Sequence, residues 1–282
     1  MSHGIVYTAT GEEFVGEAIF SAKRANEVMD NVPISIITDN KIQNPVFDEV
    51  IIMDGEVLHD TIDQIRYMEK SPYERTLYVD TDVYIEKDIS DLFSILDEFD
   101  IAAALSQQRC RGDIELSEVP DSFIEYSSGM ILYRNNKQFR KLASRWEEVC
   151  EELKISDNWP DQPAFRKVLY HSDLRIATIP PEYHIVIRQP GHVYDTVKAA
   201  HGRLLNVGHI SGGGRKVVDV PTAVNKLNTG EGHRVYTIGV NGIRVHTNTI
   251  PFLIKRSIIT NGATKTLKMI YDKIYRIFRN MI

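Results

Sequence analysis

Two aspartates that follow an apolar run constrain this chain more than any other feature of its sequence. Asp80 and Asp82 come directly after Leu77-Tyr78-Val79, and further β-forming residues follow them. Side chains at positions i and i+2 of an extended backbone point the same way, so both carboxylates can converge on one cation. Hard oxygen ligands suit Mg²⁺ or Mn²⁺, which in proteins commonly hold substrate phosphates. The pattern predicts a metal site for a phosphate-bearing substrate, with a solvated turn as the alternative interpretation.

The composition is that of a folded protein with a substantial core, since 43% of the 282 residues are hydrophobic. The formal net charge of −6 argues against nucleic-acid binding, because a surface that follows phosphates needs clustered Lys and Arg. The charge is unevenly distributed. Residues 233–282 carry nine basic residues and one acid, a charge of +8, which leaves −14 for the rest.

Several features favour a cytoplasmic protein. Cys110 and Cys150 are too few for a disulfide framework, which fits a reducing compartment. The first residues lack a basic stretch followed by an apolar one, so we expect no signal peptide. No apolar run approaches the roughly 20 residues that span a bilayer.

Strand-like and helix-like segments alternate over the first hundred residues. Residues 5–8 and Ile34–Thr38 are typical of buried strands, and between them apolar residues recur at three- and four-residue steps, as in a helix. A strand, helix, strand order requires a crossover, which makes parallel strands. The pattern repeats as far as Asp80 and predicts a doubly wound α/β sheet. Because no Gly-x-Gly-x-x-Gly or Walker lysine loop is present, a standard dinucleotide or P-loop site is excluded.

The second half of the chain is less regular. Strands are predicted over residues 126–133, 176–179 and 204–210, and helices over residues 136–153 and from Asp161 onward. Between the last two strands lies a loop region with His184, His192 and His201, which we interpret as surface or core residues rather than ligands.

The C-terminal residues predict a hairpin and a helix. Residues 235–246, with Asn241-Gly242 at their centre, have the pattern of a two-residue β-hairpin. One face of the following helix is apolar and the rest is rich in Lys and Arg; the apolar residues are Leu267, Ile270, Ile274, Phe278 and Met281. Such a helix either attaches peripherally to an anionic membrane surface or packs on the domain or on the second subunit of a homodimer.

Four segments resemble, in the expected order, the motifs of one known family. They are residues 73–82 continued by 88–93, the strand around Ser127-Ser128-Gly129, the helix start Asp161-Gln162, and His209-Ile210-Ser211-Gly212-Gly213-Gly214-Arg215-Lys216. They resemble the motifs of GT-A glycosyltransferases, especially the glycogenin-like and galactosyltransferase-like family 8. The resemblance spans about residues 5–216.

The resemblance implies a fold and an activity. The fold would be a single Rossmann-like nucleotide-diphospho-sugar transferase domain with a mixed central sheet over residues 1–218, followed by a C-terminal extension over residues 219–282. The activity would be metal-dependent transfer from a nucleotide-sugar, here a UDP-sugar, to a glycan, lipid-linked or protein acceptor that the sequence does not identify. Retention of anomeric configuration also follows from the resemblance, and no protein nucleophile is assigned.

The resemblance also implies roles for individual residues. Asp80, Asp82 and His209 would bind the cofactor, Mn²⁺ or Mg²⁺, and an imidazole favours Mn²⁺. Asp161 and Gln162 would face the transferred sugar, with a helix N-cap as the alternative role for Asp161. The donor would be bound by Tyr7, Thr8, Thr10, Arg66, Asp80, Thr81, Ser128, Gly129, Gly212 and either Arg215 or Lys216. The chain departs from the family pattern at Ser127, Arg215 and Val217-Val218, where the family has Asn, Lys and Pro-Trp.

Two other functions compete with this one. A sugar-phosphate nucleotidyltransferase of similar fold usually carries a glycine-rich basic loop after the first strand, but this chain has Thr8-Ala9-Thr10-Gly11-Glu12-Glu13 there. The two acids would repel a triphosphate. A non-catalytic carbohydrate-binding relative is the third hypothesis, and the intact metal-binding residues argue against it.

Overall fold

The structure is a computed structural model that describes residues 2–106, 114–154, 160–207, 216, 218–230, 232–239, 242–247, 257–259 and 261–279. The strands are β1 (His3–Ala9), β2 (Ile34–Thr38), β3 (Glu49–Ile52), β4 (Arg75–Val79), β5 (Val83–Ile85), β6 (Ile101–Leu105), β7 (Tyr126–Arg134), β8 (Ile176–Ile179), β9 (Ile185–Val186), β10 (Gly191–Val193), β11 (Ala199–His201), β12 (Arg234–Gly239) and β13 (Gly242–Thr247). The α-helices are α1 (Gly11–Val28), α2 (Thr61–Tyr67), α3 (Lys137–Leu153), α4 (Asp161–Tyr170), α5 (Val220–Asn228) and α6 (Ala263–Arg279). Short 3₁₀ helices cover Met68–Lys70, Ser90–Asp97 and Pro181–Tyr183.

The central element is a seven-stranded mixed sheet with the order β3-β2-β1-β4-β7-β6-β8. β1 pairs in parallel with β2 and β4, and β2 pairs in parallel with β3. β7 is antiparallel to both β4 and β6, while β6 and β8 are parallel, so β7 runs against the other six strands. The mixed α/β fold that the sequence predicts is confirmed. The carboxyl ends of β1 and β4 lie at one edge, where such sheets build ligand sites.

Helices cover both faces of this sheet. Successive residues of a strand point to opposite faces, and Leu77 packs with residues of α1 while Tyr78 packs with α3 and α4 on the other side. Trp146 of α3 stacks on Phe165 of α4, with 4.3 Å between ring centroids. Since the central strands are covered on both sides, their middle residues form continuous buried apolar runs, such as Leu77–Val79 and Met130–Tyr133.

Two smaller sheets complete the molecule. The order β5-β11-β9 brings a strand from near residue 200 beside β5, and the order β10-β12-β13 contains the predicted hairpin. Because β10 precedes residue 218 and β12 follows it, the sheet joins the predicted catalytic domain to the predicted extension. The predicted boundary at residue 218, between a catalytic domain and a C-terminal extension, therefore stays a prediction.

One strand prediction is wrong in its position. The strand expected over residues 204–210 is absent at residues 204–207, the part that the structure describes, and the strand of this region is β11, which ends at His201. The predicted C-terminal helix is present as α6. Among the described helices, none combines the length and apolar character needed to cross a bilayer.

Candidate metal centre

Asp80 and Asp82 lie at the carboxyl end of β4, and β11 brings a histidine to them. β11 pairs antiparallel with β5 so that His201 faces Val83, the residue after Asp82. His201 Nε2 lies 2.9 Å from Asp82 Oδ1 and 3.7 Å from Asp80 Oδ2. One ligand atom from each of the three side chains lies within 4.8 Å of the others. Both acids converge as predicted, but through a turn in which the Val83 amide donates to the Asp80 carbonyl, not through an extended strand.

The closely spaced buried acids of this cluster fit a divalent cation. Asp82 is fully buried, and its Oδ1 lies 2.9 Å from His201 Nε2. Two carboxylates with oxygens within 4.8 Å of each other repel, and a metal ion between them would offset that repulsion. Two carboxylates and one imidazole are ligands that Mn²⁺ accepts. The residues therefore fit the implied metal.

Burial and neighbouring charges move the pKa values of the two aspartates apart. Burial raises the pKa of Asp80 to about 6, against the lowering effect of His201. Burial also raises the pKa of Asp82, but the charges of His201 and Arg203 outweigh it and hold that pKa below its usual range. Asp82 is thus the carboxylate that stays ionised, and Asp80 is the more easily protonated of the two.

Gly129 lets β7 approach the cluster closely. The Asp80 amide donates to the Gly129 carbonyl at 3.0 Å. A Cβ atom at position 129 would lie 2.6 Å from His201 Cε1 and 2.8 Å from Asp80 Oδ2. Any side chain here would displace two of the three candidate ligands, which gives a physical reason for the glycine of the Ser-Gly motif.

Asp161 is attached to the same strand. The Ser128 hydroxyl donates to Asp161 Oδ2 at 2.5 Å, and Trp146 Nε1 donates to the Asp161 carbonyl at 2.7 Å. Asp161 is the first residue of α4, and the N-cap position belongs to Pro160. The structure thus places Asp161 one position after the N-cap, at the start of the first helical turn. Burial raises the pKa of Asp161, and the Ser128 hydrogen bond opposes this. Gln162 follows it and is partly exposed.

A cleft beside the cluster collects several of the predicted donor-binding residues. It is lined by Thr8, Ala9, Thr10, Phe14, His59, Asp60, Thr61, Asp63, Gln64, Tyr78, Asp80, Thr81 and Arg203. The Tyr78 hydroxyl lies 2.7 Å from both Gln64 Oε1 and Asp80 Oδ1. Thr8 lines the cleft, and its Oγ1 is buried without a hydrogen-bond partner.

The structure does not bring every predicted site residue to this cleft. Tyr7 is fully buried in the core, where its hydroxyl lies 2.9 Å from Ser21 Oγ. Arg66 pairs with Glu147 of α3 at 2.6 Å, and Lys216 pairs with Asp219 at 2.9 Å. His209, Gly212 and Arg215 lie outside the described residues.

The sequence interpretation missed His201 and Arg203. His201 was assigned to a loop, because the three-residue strand that carries it is too short to give a periodic signal. Arg203 lines the cleft and binds Asp82 Oδ2 through Nε at 2.8 Å and Nη2 at 2.6 Å. A possible signal was the apolar pair Ala199-Ala200 before His201, which is typical of a buried strand end.

Comparison with known proteins identifies the fold. No protein-family model matches the chain, and no curated protein matches it. Mouse xyloside xylosyltransferase 1 in its apo form resembles it with a TM-score of 0.50 at 13% identity, over 72% of this chain and 98% of that one. The galactosyltransferase LgtC, solved with donor and acceptor sugar analogues, gives 0.49 at 14% identity over 65% of this chain and 75% of its own. The glycosyltransferase GlyE of Streptococcus pneumoniae TIGR4 gives 0.46 at 17% identity over 66% of this chain and 48% of its own.

The xylosyltransferase likeness covers nearly the whole of that protein and shows that this chain has a fold of the GT-A glycosyltransferase type. The fold expected from the sequence resemblance is thereby confirmed. Membership of family 8 and the roles of the individual site residues stay predictions.

Proposed function

We propose that this protein is a metal-dependent glycosyltransferase that uses a nucleotide-sugar donor, specifically a UDP-sugar. The observation that carries the proposal is the convergence of Asp80, Asp82 and His201 beside an open cleft at the carboxyl ends of β1 and β4. Separate segments of a GT-A-like fold thus bring together two carboxylates and an imidazole. This donor set suits a cation that holds a diphosphate.

Asp80, Asp82 and His201 would hold the cation, Mn²⁺ in preference to Mg²⁺. When bound, such a cation supplies Lewis-acid stabilisation of the charge that develops on a departing diphosphate. Asp82 would offer Oδ1 to the cation, because Arg203 is bound to Oδ2. Asp80 is held in place by the hydrogen bond from its backbone amide to the Gly129 carbonyl, and its side chain accepts a hydrogen bond from the Tyr78 hydroxyl. The cluster is therefore ordered before any ligand enters, which lowers the cost of binding.

Different groups at the site would contact the donor nucleoside and the transferred sugar. Thr8 and Thr10 follow the buried part of β1 and would contact the nucleoside, with the unpartnered Thr8 hydroxyl as one hydrogen-bonding group. Asp161 and Gln162 at the start of α4 would contact hydroxyl groups of the sugar. The ionised Asp161 carboxylate would accept those hydrogen bonds, and Ser128 orients it. Retention of configuration follows from the family resemblance, and we assign no nucleophile.

A nucleotidyltransferase is disfavoured by the start of α1. The Gly11 amide, which could otherwise bind a phosphate, donates to Asp39 Oδ1 at 3.0 Å. Glu12 and Glu13 in the first turn are exposed and would repel a triphosphate. In isothermal titration, metal-dependent binding of UDP supports the transferase, and binding of UTP with a sugar phosphate supports the nucleotidyltransferase. A non-catalytic carbohydrate-binding protein would bind sugars without a requirement for metal.

The C-terminal helix would attach the protein to an anionic membrane surface on the cytoplasmic side. On α6, Leu267, Tyr271 and Ile274 are exposed, at 67%, 68% and 49% of their surface. The segment from residue 233 has a charge of +8, which complements anionic lipid headgroups. Attachment would favour a lipid-linked or surface glycan as acceptor. If the helix instead forms a homodimer, the protein will dimerise in solution and will not co-sediment with anionic vesicles at low salt.

The test is a screen of nucleotide-sugars for hydrolysis or transfer in the presence and absence of Mn²⁺. We expect turnover of a UDP-sugar that is lost on chelation and in Asp82→Ala. Removing this ligand forfeits several kcal/mol of transition-state stabilisation, a rate loss of about a thousandfold. Undiminished activity of Asp82→Ala would contradict the proposal, whereas Asp54→Ala, at an exposed surface aspartate, should behave like the parent protein.

A further inference from the structure

We propose that Glu17 of α1 is a positioning residue that sets the affinity of the metal centre by holding Arg203 and offsetting its charge. The inference rests on the proposed function, since it concerns the cation site formed by Asp80, Asp82 and His201. Glu17 makes no contact with the candidate ligands themselves. It acts through Arg203, which lies between the two carboxylates of Glu17 and Asp82.

The Glu17 carboxylate is fully buried and accepts four hydrogen bonds. Oε2 accepts from Thr81 Oγ1 at 3.0 Å and from Arg203 Nη1 at 2.8 Å. Oε1 accepts from the amides of Leu204 at 2.7 Å and Leu205 at 3.1 Å. Both oxygens are thus used as acceptors, which is the environment of an ionised carboxylate.

Arg203 fixes which oxygen of Asp82 remains available. Its Nε and Nη2 both bind Oδ2, so Oδ1 is left to face His201 Nε2, 2.9 Å away. The remaining terminal nitrogen of Arg203, Nη1, is anchored on Glu17 at 2.8 Å. Glu17 also binds the two amides that follow Arg203, and the Gly202 amide donates to the Asp82 carbonyl at 2.9 Å. One side chain on α1 therefore determines the path of the backbone just after His201.

The charges around the cation position favour the same conclusion. Asp80, Asp82 and Glu17 contribute −3 and Arg203 contributes +1, so the total is −2 when His201 is neutral, as a metal ligand requires. A divalent cation would neutralise this charge. Without Glu17 the total would be −1, and Arg203 would compete with the cation for Asp82. Groups that orient metal ligands typically change metal affinity by 10–100-fold when they are altered.

The experiment is a titration of the full-length protein with Mn²⁺ alone, followed calorimetrically, for four variants. We expect Glu17→Gln to bind Mn²⁺ at least about tenfold more weakly than the parent protein. Arg203→Gln changes the total charge to −3 and frees Asp82 Oδ2, with which Arg203 otherwise competes against the cation, so this variant should bind Mn²⁺ more tightly. The double variant restores −2 and should return close to the parent affinity. Glu86→Gln is the matched control, because Glu86 binds Arg24 of the same helix at 3.0 Å and should leave the affinity unchanged.

A merely structural role for Glu17 predicts a different pattern, in which every substitution in the network weakens binding. Parent-like affinity of Glu17→Gln, or weaker binding by Arg203→Gln, would overturn the inference. Thermal unfolding reports whether each variant folds. If Glu17→Gln does not fold, the Mn²⁺ affinity of Arg203→Gln alone tests the inference, because tighter binding supports it and weaker binding overturns it. Absence of Mn²⁺ binding by the parent protein would overturn the proposed function and this inference with it, an outcome distinct from a failure of the variants alone.

Discussion

The candidate metal centre and helix α6 both depart from the usual arrangement of a folded protein, in which charged groups are exposed and apolar groups are buried. Around β4 and β11, the charged side chains of Asp82 and Glu17 are fully buried. On α6, the apolar side chains of Leu267 and Tyr271 are about two-thirds exposed. Buried charges and contiguous exposed apolar residues are both costly, and both commonly mark places where a partner binds.

The two regions differ in how the unfavourable free energy of these groups is offset. In the candidate metal centre most of the cost of burying charge is offset within the protein, since Arg203 binds two carboxylates and Glu17 accepts four hydrogen bonds. What is left uncompensated is the negative charge of Asp80 and Asp82 beside His201, which one divalent cation would offset. On α6, Leu267, Tyr271 and Ile274 are exposed side by side. The partners that we propose for the two regions differ accordingly, a cation for the first and an anionic membrane surface for the second.

The largest expected effect tests whether His201 is a ligand. His201→Ala should weaken Mn²⁺ binding at least about a hundredfold, because it removes a ligand atom and not merely a supporting group. Calorimetric titration with Mn²⁺ measures this. His192→Ala, at an exposed position of β10, is the control. The same measurement on His209→Ala tests the ligand that the family resemblance implies, and unchanged affinity in His201→Ala would contradict the proposed ligand set.

A smaller effect tests how tightly the centre is preorganised. Gly129→Ala places a methyl group within 3 Å of both His201 and Asp80, so we expect a stability loss of about 1–3 kcal/mol. The displaced ligands should lower the metal-dependent rate about tenfold to a hundredfold. Chemical denaturation and steady-state kinetics measure these quantities. Gly16→Ala is the matched control, since a Cβ on this helical glycine meets no atom within 4 Å and should gain about 0.5–1 kcal/mol.

The exposed face of α6 provides the third test. Leu267→Ser should weaken co-sedimentation with anionic vesicles about tenfold, because a leucine side chain transferred from water contributes about 1.5–3 kcal/mol. The midpoint of thermal unfolding should not change, since Leu267 is 67% exposed in the free protein. Val235→Ser, at an exposed apolar residue of β12, is the control. Vesicle binding that is equal in Leu267→Ser and the parent protein would remove α6 as the attachment site.

The smallest effect concerns Asp161, for which we propose contact with the transferred sugar. Ser128→Ala removes the hydrogen bond that favours ionised Asp161, so the pKa of Asp161 should rise further above its usual value. Because the proposed role uses the ionised carboxylate, the acid limb of the pH–activity profile should move to higher pH. The rate at neutral pH should fall severalfold, in line with a hydrogen bond of about 1–2 kcal/mol. Thr178→Val removes a hydroxyl elsewhere in the sheet and should leave the profile unchanged.

Much of the fold was predictable from local patterns. The alternation of strands and helices that leads to Asp80, the helix after Asn136 and the hairpin of β12 and β13 all have periodic or turn signals in the sequence. Those signals arise within a few residues of each other, so no knowledge of distant contacts is needed. The reversed direction of β7 had no such signal, and the family resemblance implied only that the central sheet is mixed.

The site was predictable only in part. The spacing of Asp80 and Asp82 identified two candidate ligands, and the Ser-Gly and Asp-Gln motifs indicated Gly129 and Asp161. The family resemblance placed Tyr7 at the donor site, but the alternation along β1 turns its ring into the core and leaves Thr8 facing the cleft.

By itself, the sequence determined the α/β class, the acidic pair at the end of a buried strand and the basic amphipathic helix. Only the tertiary structure decided that His201 faces Asp82, that Arg203 occupies one of its oxygens and that Glu17 holds this arginine. These contacts join segments separated by up to 186 residues. They depend on the register between β5 and β11, which is set by packing of the whole domain and leaves no pattern in either segment alone.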